Sequence, residues 1–315
     1  MRRLWVILLL SIVCPMAAQQ YERPDDKVCR IAFWNLENLF HPGQDSINRD
    51  SDYTPDGIHH WTLSRYYRKL TAISRALSFI GGWQGLDMIG VCEVENDSCL
   101  IHLTRRMPGY RFVHYDSPDR RGIDCGLLYH TTRISVLNSR AVPVPLDSLA
   151  RTRDLLYVCA QDKWQDTLHI IVAHLPSQWS GQAASEWKRR RAKQVIQTLV
   201  DSIYAICPAP RIVVMGDMNA QPQEDIRGMR NLALQLDKSR WEGTHKYRNR
   251  WTTLDQFYVS PQLPHPIMRV MDIDMLRERD PRYLGYRPHR TFRGARYNGG
   301  VSDHFPILLE LQIEK

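Results

Sequence analysis

The 315-residue sequence contains no hydrophobic run long enough for a comfortable membrane span. It has no Cys-x-x-Cys pair and no Cys/His spacing of the zinc-binding kind, which argues against zinc modules and dithiol redox proteins. No low-complexity tract and no repeat of fixed period occurs, so a disordered scaffold and a solenoid are both excluded. Nor does one sign of charge dominate. Lys and Arg number 42 against 34 Asp and Glu, a formal net charge of +8. That mild basicity suits a polyanionic or phosphate-bearing partner without specifying one.

What is present is ordinary globular material, 43% apolar and 24% charged, in a chain long enough to bury a substantial core. The first 18 residues differ from the rest. Met1-Arg2-Arg3, a short apolar stretch from Leu4 to Val13 and small residues up to Ala18 are the parts of a secretory signal peptide. Cys14 lacks a small residue directly before it, which argues against a lipid anchor. Cleavage after Ala18 would remove Arg2 and Arg3 and lower the formal charge from +8 to +6. The expected division is therefore a signal peptide over 1–18, a polar leader over 19–27 and a catalytic domain over 28–315. The expected location is secreted or periplasmic. Six cysteines would remain, an even number that permits bridges in an oxidising compartment. Cys92, Cys125 and Cys159 sit in apolar runs that suit buried thiols equally well, and no pairing is assigned.

Helical spacing of Leu70, Ile73, Leu77 and Ile80, stopped by Gly81-Gly82, predicts a helix over 63–80. A second is expected over 185–206, with Val195, Leu199 and Ile203 on one face. Strands are expected over 28–34, 88–92, 123–129, 134–137, 168–173, 212–215, 254–259 and 305–311. The polar stretch from His41 to Trp61 reads as an excursion from the core. The run Ile212-Val213-Val214-Met215 is apolar throughout, as in a strand covered on both faces. It then breaks off at Gly216-Asp217-Met218-Asn219. Other runs end the same way: Asn35 and Glu37 follow one, Glu93 another, His174 a third. Asp255 and Asp303-His304 stand at strand starts. A single polar strand end is a turn. Six of them, with side chains that bind metals or move protons, look like the rim of one cleft.

The segments FWNLENLF, GVCEVEN, VAHLPSQWSG, MGDMNAQP, TTLDQFYVS and GGVSDHFPI occur in this order between Phe33 and Ile307. In that order and spacing the chain resembles the endonuclease/exonuclease/phosphatase superfamily over roughly 29–313. The resemblance implies a four-layer α/β/β/α sandwich with two mostly antiparallel central sheets. It implies a metal-dependent phosphoric ester hydrolase using Mg²⁺ or Mn²⁺, hard cations that prefer oxygen ligands. It carries over Glu93 as a metal ligand, Asn35 and Glu37 as metal-positioning groups and Asp303 as a group reaching the metal region. Asp217 and Asn219 fill its GDxN positions, where the aspartate orients or deprotonates the attacking water. His174 matches a phosphate-contacting histidine, whose imidazolium would stabilise transition-state charge. His304 is paired with Asp255, as general base or as transition-state stabiliser. Asn38 and Glu95 are expected as local caps and surface groups, and Ser302 as loop geometry.

The substrate expectation is a nucleic acid, DNA or RNA. Seven arginines between Arg277 and Tyr297 alternate with Tyr283, Tyr286, Phe292 and Tyr297, which suits a strand of phosphates and bases. Arg120-Arg121 are a further basic pair in reach of a phosphate. A small or lipid phosphate ester is the alternative, and an inactive binding protein on the same scaffold the third reading. No long apolar hairpin of a membrane-docking sphingomyelinase is present, so no stable membrane insertion is expected, and the chain is expected to be a monomer.

Overall fold

The structure, a computed structural model, describes residues 28–43, 51–147, 151–178 and 181–312. The expected signal peptide and leader lie outside these residues. From the N-terminus the elements are β1 (Val28–Leu39), α1 (Leu63–Gly81), β2 (Met88–Val94), α2 (Asp97–Thr104), β3 (Tyr110–His114) and β4 (Asp124–His130). There follow β5 (Ile134–Val142), β6 (Leu155–Asp162), β7 (Thr167–His174), α3 (Gln182–Ile206), β8 (Arg211–Asp217) and β9 (Arg230–Asn231). Three short ribbons, β10 (His245–Tyr247) with β11 (Arg250–Thr252), β14 (Arg277–Arg279) with β15 (Tyr286–Pro288), and β16 (Phe292–Arg293) with β17 (Arg296–Tyr297), stand apart from the sheets. The remaining strands are β12 (Asp255–Val259), β13 (Ile267–Val270) and β18 (Ile307–Gln312).

One six-stranded sheet has the order β13-β18-β1-β2-β4-β3, the other β5-β6-β7-β8-β12-β9. Each holds a single parallel pair, β1/β2 and β7/β8, and every other pairing is antiparallel. A parallel pair needs a crossover, and α1 and α3 supply the two. The sheets lie face to face, with α1 and α2 outside the first and α3 outside the second. This is the expected four-layer sandwich. The apolar run of β8 shows why. Val213 and Met215 turn into the gap between the sheets, while Ile212 and Val214 pack under Ile196, Leu199 and Val200 of α3. Met215 lies so close to Gly90 of β2 that a Cβ there would come within 2.8 Å of its sulfur. Truncating such a side chain to Ala leaves a cavity and costs about 2–5 kcal/mol.

α1 begins where Thr62 accepts the Arg65 N–H and ends at Gly82, whose φ of 59° favours glycine. Its inner face is Leu70, Ile73 and Leu77, as spaced in the sequence. The polar stretch before it is anchored at its end. Trp61 is fully buried, donates to the Phe40 carbonyl at 2.8 Å and meets the Phe292 ring. All six cysteines among the described residues are free. No helix among the described residues is long and apolar enough to cross a membrane.

Topology places the site. Parallel β1 and β2 deliver their carboxyl ends to one edge of their sheet, and β7 and β8 do the same in theirs. Antiparallel β12, and the segment leading into β18, bring their amino ends to that edge.

Candidate active site

In the second sheet, register puts His174 opposite Asp217, and Asp217 opposite Asp255. Alternation gives the three the same facing as Val172, Met215 and Phe257, toward the first sheet. The first sheet meets them by a different device. Val91 touches the α2 side of its sheet, where it crowds Gly126 beside Leu100, so regular alternation would turn Glu93 that way too. Instead β2 bulges between Cys92 and Val94, β1 bulges between Asn35 and Leu39, and Glu93 takes a φ of 60°. Glu37 and Asn38, at φ 45° and 53°, complete the matching irregularity in β1. The Asn38 N–H donates to Glu93 Oε2 at 2.8 Å and clasps the two bulges together. Left-handed backbone at a residue other than glycine costs about 1–2 kcal/mol, and Asn219, at φ 47°, makes a fourth instance in the same cleft. Strain so concentrated marks a functional site.

Within the cleft, hydrogen bonds from Asn35 and from His304 cross between the sheets. The Asn35 amide donates from Nδ2 to Asp217 Oδ2 at 3.1 Å and to Glu93 Oε1 at 3.4 Å, while its oxygen accepts the Glu37 N–H at 2.9 Å. Asn35 thereby holds two carboxylates toward a common point and is itself a positioning group. The second crossing bond runs from His304 Nδ1 to Asp255 Oδ2, 2.7 Å. Burial opposes a charged ring at His304. Asp255, and after it Asp217 and Asp303, outweigh that effect and hold its pKa well above the ordinary value. Its Nε2 faces Asp217 Oδ2 at 3.8 Å. The His304 loop is pinned from beneath by Ser302, which donates to the Asn35 carbonyl at 2.6 Å and accepts the His304 N–H at 3.0 Å.

Asp217 is pushed up to about 6 by burial, with His304 opposing and Asp255 adding to the rise. Its Oδ1 accepts the Asn219 N–H at 2.9 Å, and Asn219 Nδ2 donates to the Leu175 carbonyl at 2.9 Å. Glu93 Oε1, half-buried, and Asp217 Oδ2, buried, are thus hard-oxygen donors drawn together by one amide. That set fits Mg²⁺ or Mn²⁺, which take one or two carboxylates and keep several waters. Among the described residues, Asp217, Asp255 and His304 also form a group with donor atoms close enough to share an ion.

His174 corrects an expectation. Arg153 Nη2 lies 3.1 Å from His174 Nε2, and a guanidinium only donates, so Nε2 accepts and the ring is neutral. Burial first, then Arg153, Arg121 and His304, hold its pKa well below the usual value. The ring is no imidazolium here. Arg153 also donates to the His174 carbonyl at 3.1 Å and to Asp119 Oδ2 at 3.0 Å.

Residues 30–313 match the model of the Endonuclease/Exonuclease/phosphatase family. The chain belongs to that family. Its members are metal-dependent phosphoester hydrolases. Among solved structures, the chain is similar to a family protein from Bacteroides thetaiotaomicron at 16% identity and TM-score 0.61, over 91% of this chain and 98% of that one. It is similar to a humanised Danio rerio TDP2 at 15% identity and TM-score 0.58, over 90% and 99% of the two chains. A mannosyl-6-phosphatase of Bacteroides thetaiotaomicron shares 17% identity at TM-score 0.60, over 90% and 99%. These likenesses concern the fold. A comparison with functionally curated proteins gives no match.

Within this endonuclease/exonuclease/phosphatase chain, Asn35, Glu93, His174, Asp217, Asn219, Asp255 and His304 share one cleft. Asp303 stands with His245 and His304 in the same cleft, their donor atoms close enough to share an ion, and Glu37 is linked to Asp303 by a cation. Arg290 bridges them, Nε to Glu37 Oε1 at 3.3 Å and Nη2 to Asp303 Oδ2 at 2.9 Å. Glu95 is buried and accepts the His41 N–H at 2.6 Å, so it is no surface group. Sequence reasoning missed Arg153, Lys69 and His245. Lys69 is almost fully buried and donates to the Glu37 carbonyl at 2.6 Å. His245 lies beside His304, ring centroids 4.8 Å apart, and burial with the His304 charge pushes it down to about 4. A lysine on the apolar face of α1 was a visible signal; the other two carried none. The arginine-rich segment also differs from expectation. Arg277, Arg287, Arg290 and Arg293 are bound to carboxylates, which leaves Arg279, Arg282 and Arg296 as its other exposed cations.

Proposed function

We propose that the chain is an exported, divalent-cation-dependent phosphodiesterase that hydrolyses DNA or RNA. The observation that carries the chemistry is the Asn35 amide joining Glu93 to Asp217 across the two sheets. A Mg²⁺ or Mn²⁺ held by Glu93 would neutralise phosphoryl oxygens and polarise the ester. Asp217, fixed on one oxygen by Asn35 and on the other by Asn219, orients the attacking water and takes its proton. Asn219 keeps its side-chain oxygen for that water, since its Nδ2 is bound to Leu175. His304, charged and held by Asp255, donates from Nε2 to the phosphoryl group as negative charge builds. The raised pKa supports that role over general base. His174, neutral and braced by Arg153, contributes through its shape and its neighbour's charge.

Nucleic acid as substrate is supported by the basic balance of the chain and by one ribbon. β10 starts at His245, which bridges His304, and ends at Tyr247, an exposed ring beneath Arg248. Lys246 ties this ribbon to the carbonyls of Leu284 and Tyr286 at 3.1 and 3.3 Å, which places a second exposed tyrosine alongside. Such rings suit stacking by bases. A second reading, a small phosphate ester, is favoured by the carboxylates that occupy four of the seven arginines, and one fold neighbour carries the name mannosyl-6-phosphatase. Export is supported by the N-terminal leader pattern. The purified chain is to be incubated with plasmid, a chromogenic phosphodiester and mannose 6-phosphate, with Mg²⁺ or chelator. Nicking abolished by chelator is expected. Phosphate release without nicking supports the second reading, and silence on all three overturns the enzyme.

A further inference from the structure

We propose that His114, Asp116 and Asp124 form a binding site for a divalent transition-metal ion such as Zn²⁺, separate from the catalytic cleft. Each offers one donor atom, and these atoms lie within 4.8 Å of one another. His114 ends β3 and stands opposite Gly126 of β4, where a Cβ would meet Leu100 of α2. Alternation puts Asp124 on that same face. The cluster therefore lies on the α2 side of the first sheet, whereas the cleft opens between the two sheets.

The imidazole is oriented as a metal ligand. Its side chain is only 2% exposed, and Nδ1 lies 2.8 Å from Oδ1 of Asp97, in the first turn of α2. A carboxylate on one ring nitrogen fixes the tautomer and aims the lone pair of the other at the ion. Here that other nitrogen, Nε2, is buried and has no hydrogen-bond partner among the described residues. It stands 3.5 Å from Asp124 Oδ2, too far for a good hydrogen bond. Two ligands of a tetrahedral Zn²⁺, each at about 2.0–2.1 Å, are about 3.3–3.4 Å apart. Asp124 keeps Oδ2 for this purpose, because its Oδ1 accepts the N–H and the hydroxyl of Ser117. Asp116 is exposed and brings the third donor, which leaves a position for water. In the metal-free chain a proton on Nε2 fills the gap, and a divalent ion would displace it. An imidazole nitrogen among the donors selects such an ion over Mg²⁺.

The site stands at the root of the loop over 115–123. From that loop Asp119 reaches Arg153 at 3.0 Å behind His174, and Arg121 donates to Asn38 Oδ1 at 2.6 Å beside Glu93. An ion joining His114, Asp116 and Asp124 closes the base of this loop and so steadies two charges that border the cleft.

Calorimetric titration of the full chain with Zn²⁺, in excess Mg²⁺ so that the hard-oxygen cleft is supplied with its own cation, tests this without any assay of activity. The unmodified chain should bind one more equivalent than His114→Gln. Asp116→Asn, at an exposed position, should weaken that equivalent about tenfold or more, and Asp97→Ala about 10–100-fold by freeing the ring. Glu93→Gln should keep it, which separates it from any ion in the cleft. Circular dichroism confirms that each variant is folded. Equal stoichiometry and affinity in the unmodified chain and a folded His114→Gln overturn the proposal. So does an equivalent that disappears in Glu93→Gln and persists in His114→Gln, or one that Asp116→Asn and Asp97→Ala both leave unchanged.

Discussion

His304 Nδ1 and Asp255 Oδ2 stand 2.7 Å apart, joining residues 49 positions apart in sequence and bridging the two sheets of the sandwich. The bond fixes the ring so that Nε2 faces Asp217, and it favours the charged ring. Asp255→Asn keeps the shape and removes the charge. The expected result is a loss of about 10²–10⁴ in kcat on a chromogenic phosphodiester, with a much smaller change in KM. A KM effect alone would show that His304 binds the ester without acting in the reaction.

Arg153 and Asp119 form an ion pair whose side chains are only 5% and 7% exposed, directly behind His174. Arg153→Met leaves Asp119 buried and unpaired, which should cost about 3–5 kcal/mol in urea unfolding. Adding Asp119→Asn should recover much of that loss. If the single variant unfolds like the parent, solvent reaches Asp119 more readily than its burial implies.

His114 lies away from the cleft, with Nδ1 2.8 Å from Asp97 and Nε2 3.5 Å from Asp124. Burial opposes its charge, but Asp124 and Asp97 raise its pKa above the ordinary histidine value. A raised folded pKa makes a contribution to stability that is complete below the unfolded value of about 6.5 and lost as pH rises through the folded value. Thermal unfolding of the parent should therefore lose stability over that interval relative to His114→Gln. Parallel profiles for the two proteins would contradict the assignment.

Arg279 and Arg282 are exposed and lie on and beside the β14/β15 ribbon. If that ribbon tracks a nucleic-acid strand, Arg279→Glu with Arg282→Glu should lower kcat/KM on a polymer by about tenfold and flatten its salt dependence. Hydrolysis of a small chromogenic diester should not change. Equal losses on both substrates would remove the ribbon from substrate binding.

Much of this architecture is legible in the chain. The expected helix over 63–80 is α1, and the expected helix over 185–206 starts three residues earlier as α3. Runs covered on both faces, such as 212–215 and 168–173, declare themselves because every position is apolar. β3 and β13 do not, since they lie at sheet edges where alternation is diluted by exposure. In the cleft, Asp217 and His174 were visible because they close apolar runs. The link between Glu37 and Asp303 was not. It depends on Arg290, 253 residues from Glu37, and no local pattern encodes it. Charge was misleading for the same reason. Arginines read as a basic stripe when their acids, such as Glu278 for Arg287 and Arg293, can be identified only after the ribbons fold.

The most direct measurement is the anomalous difference map of a crystal grown with Mn²⁺. The account predicts a peak in the cleft with a carboxylate oxygen of Glu93 at about 2.1 Å. A peak that leaves Glu93 unligated, or no peak within the cleft, would contradict it.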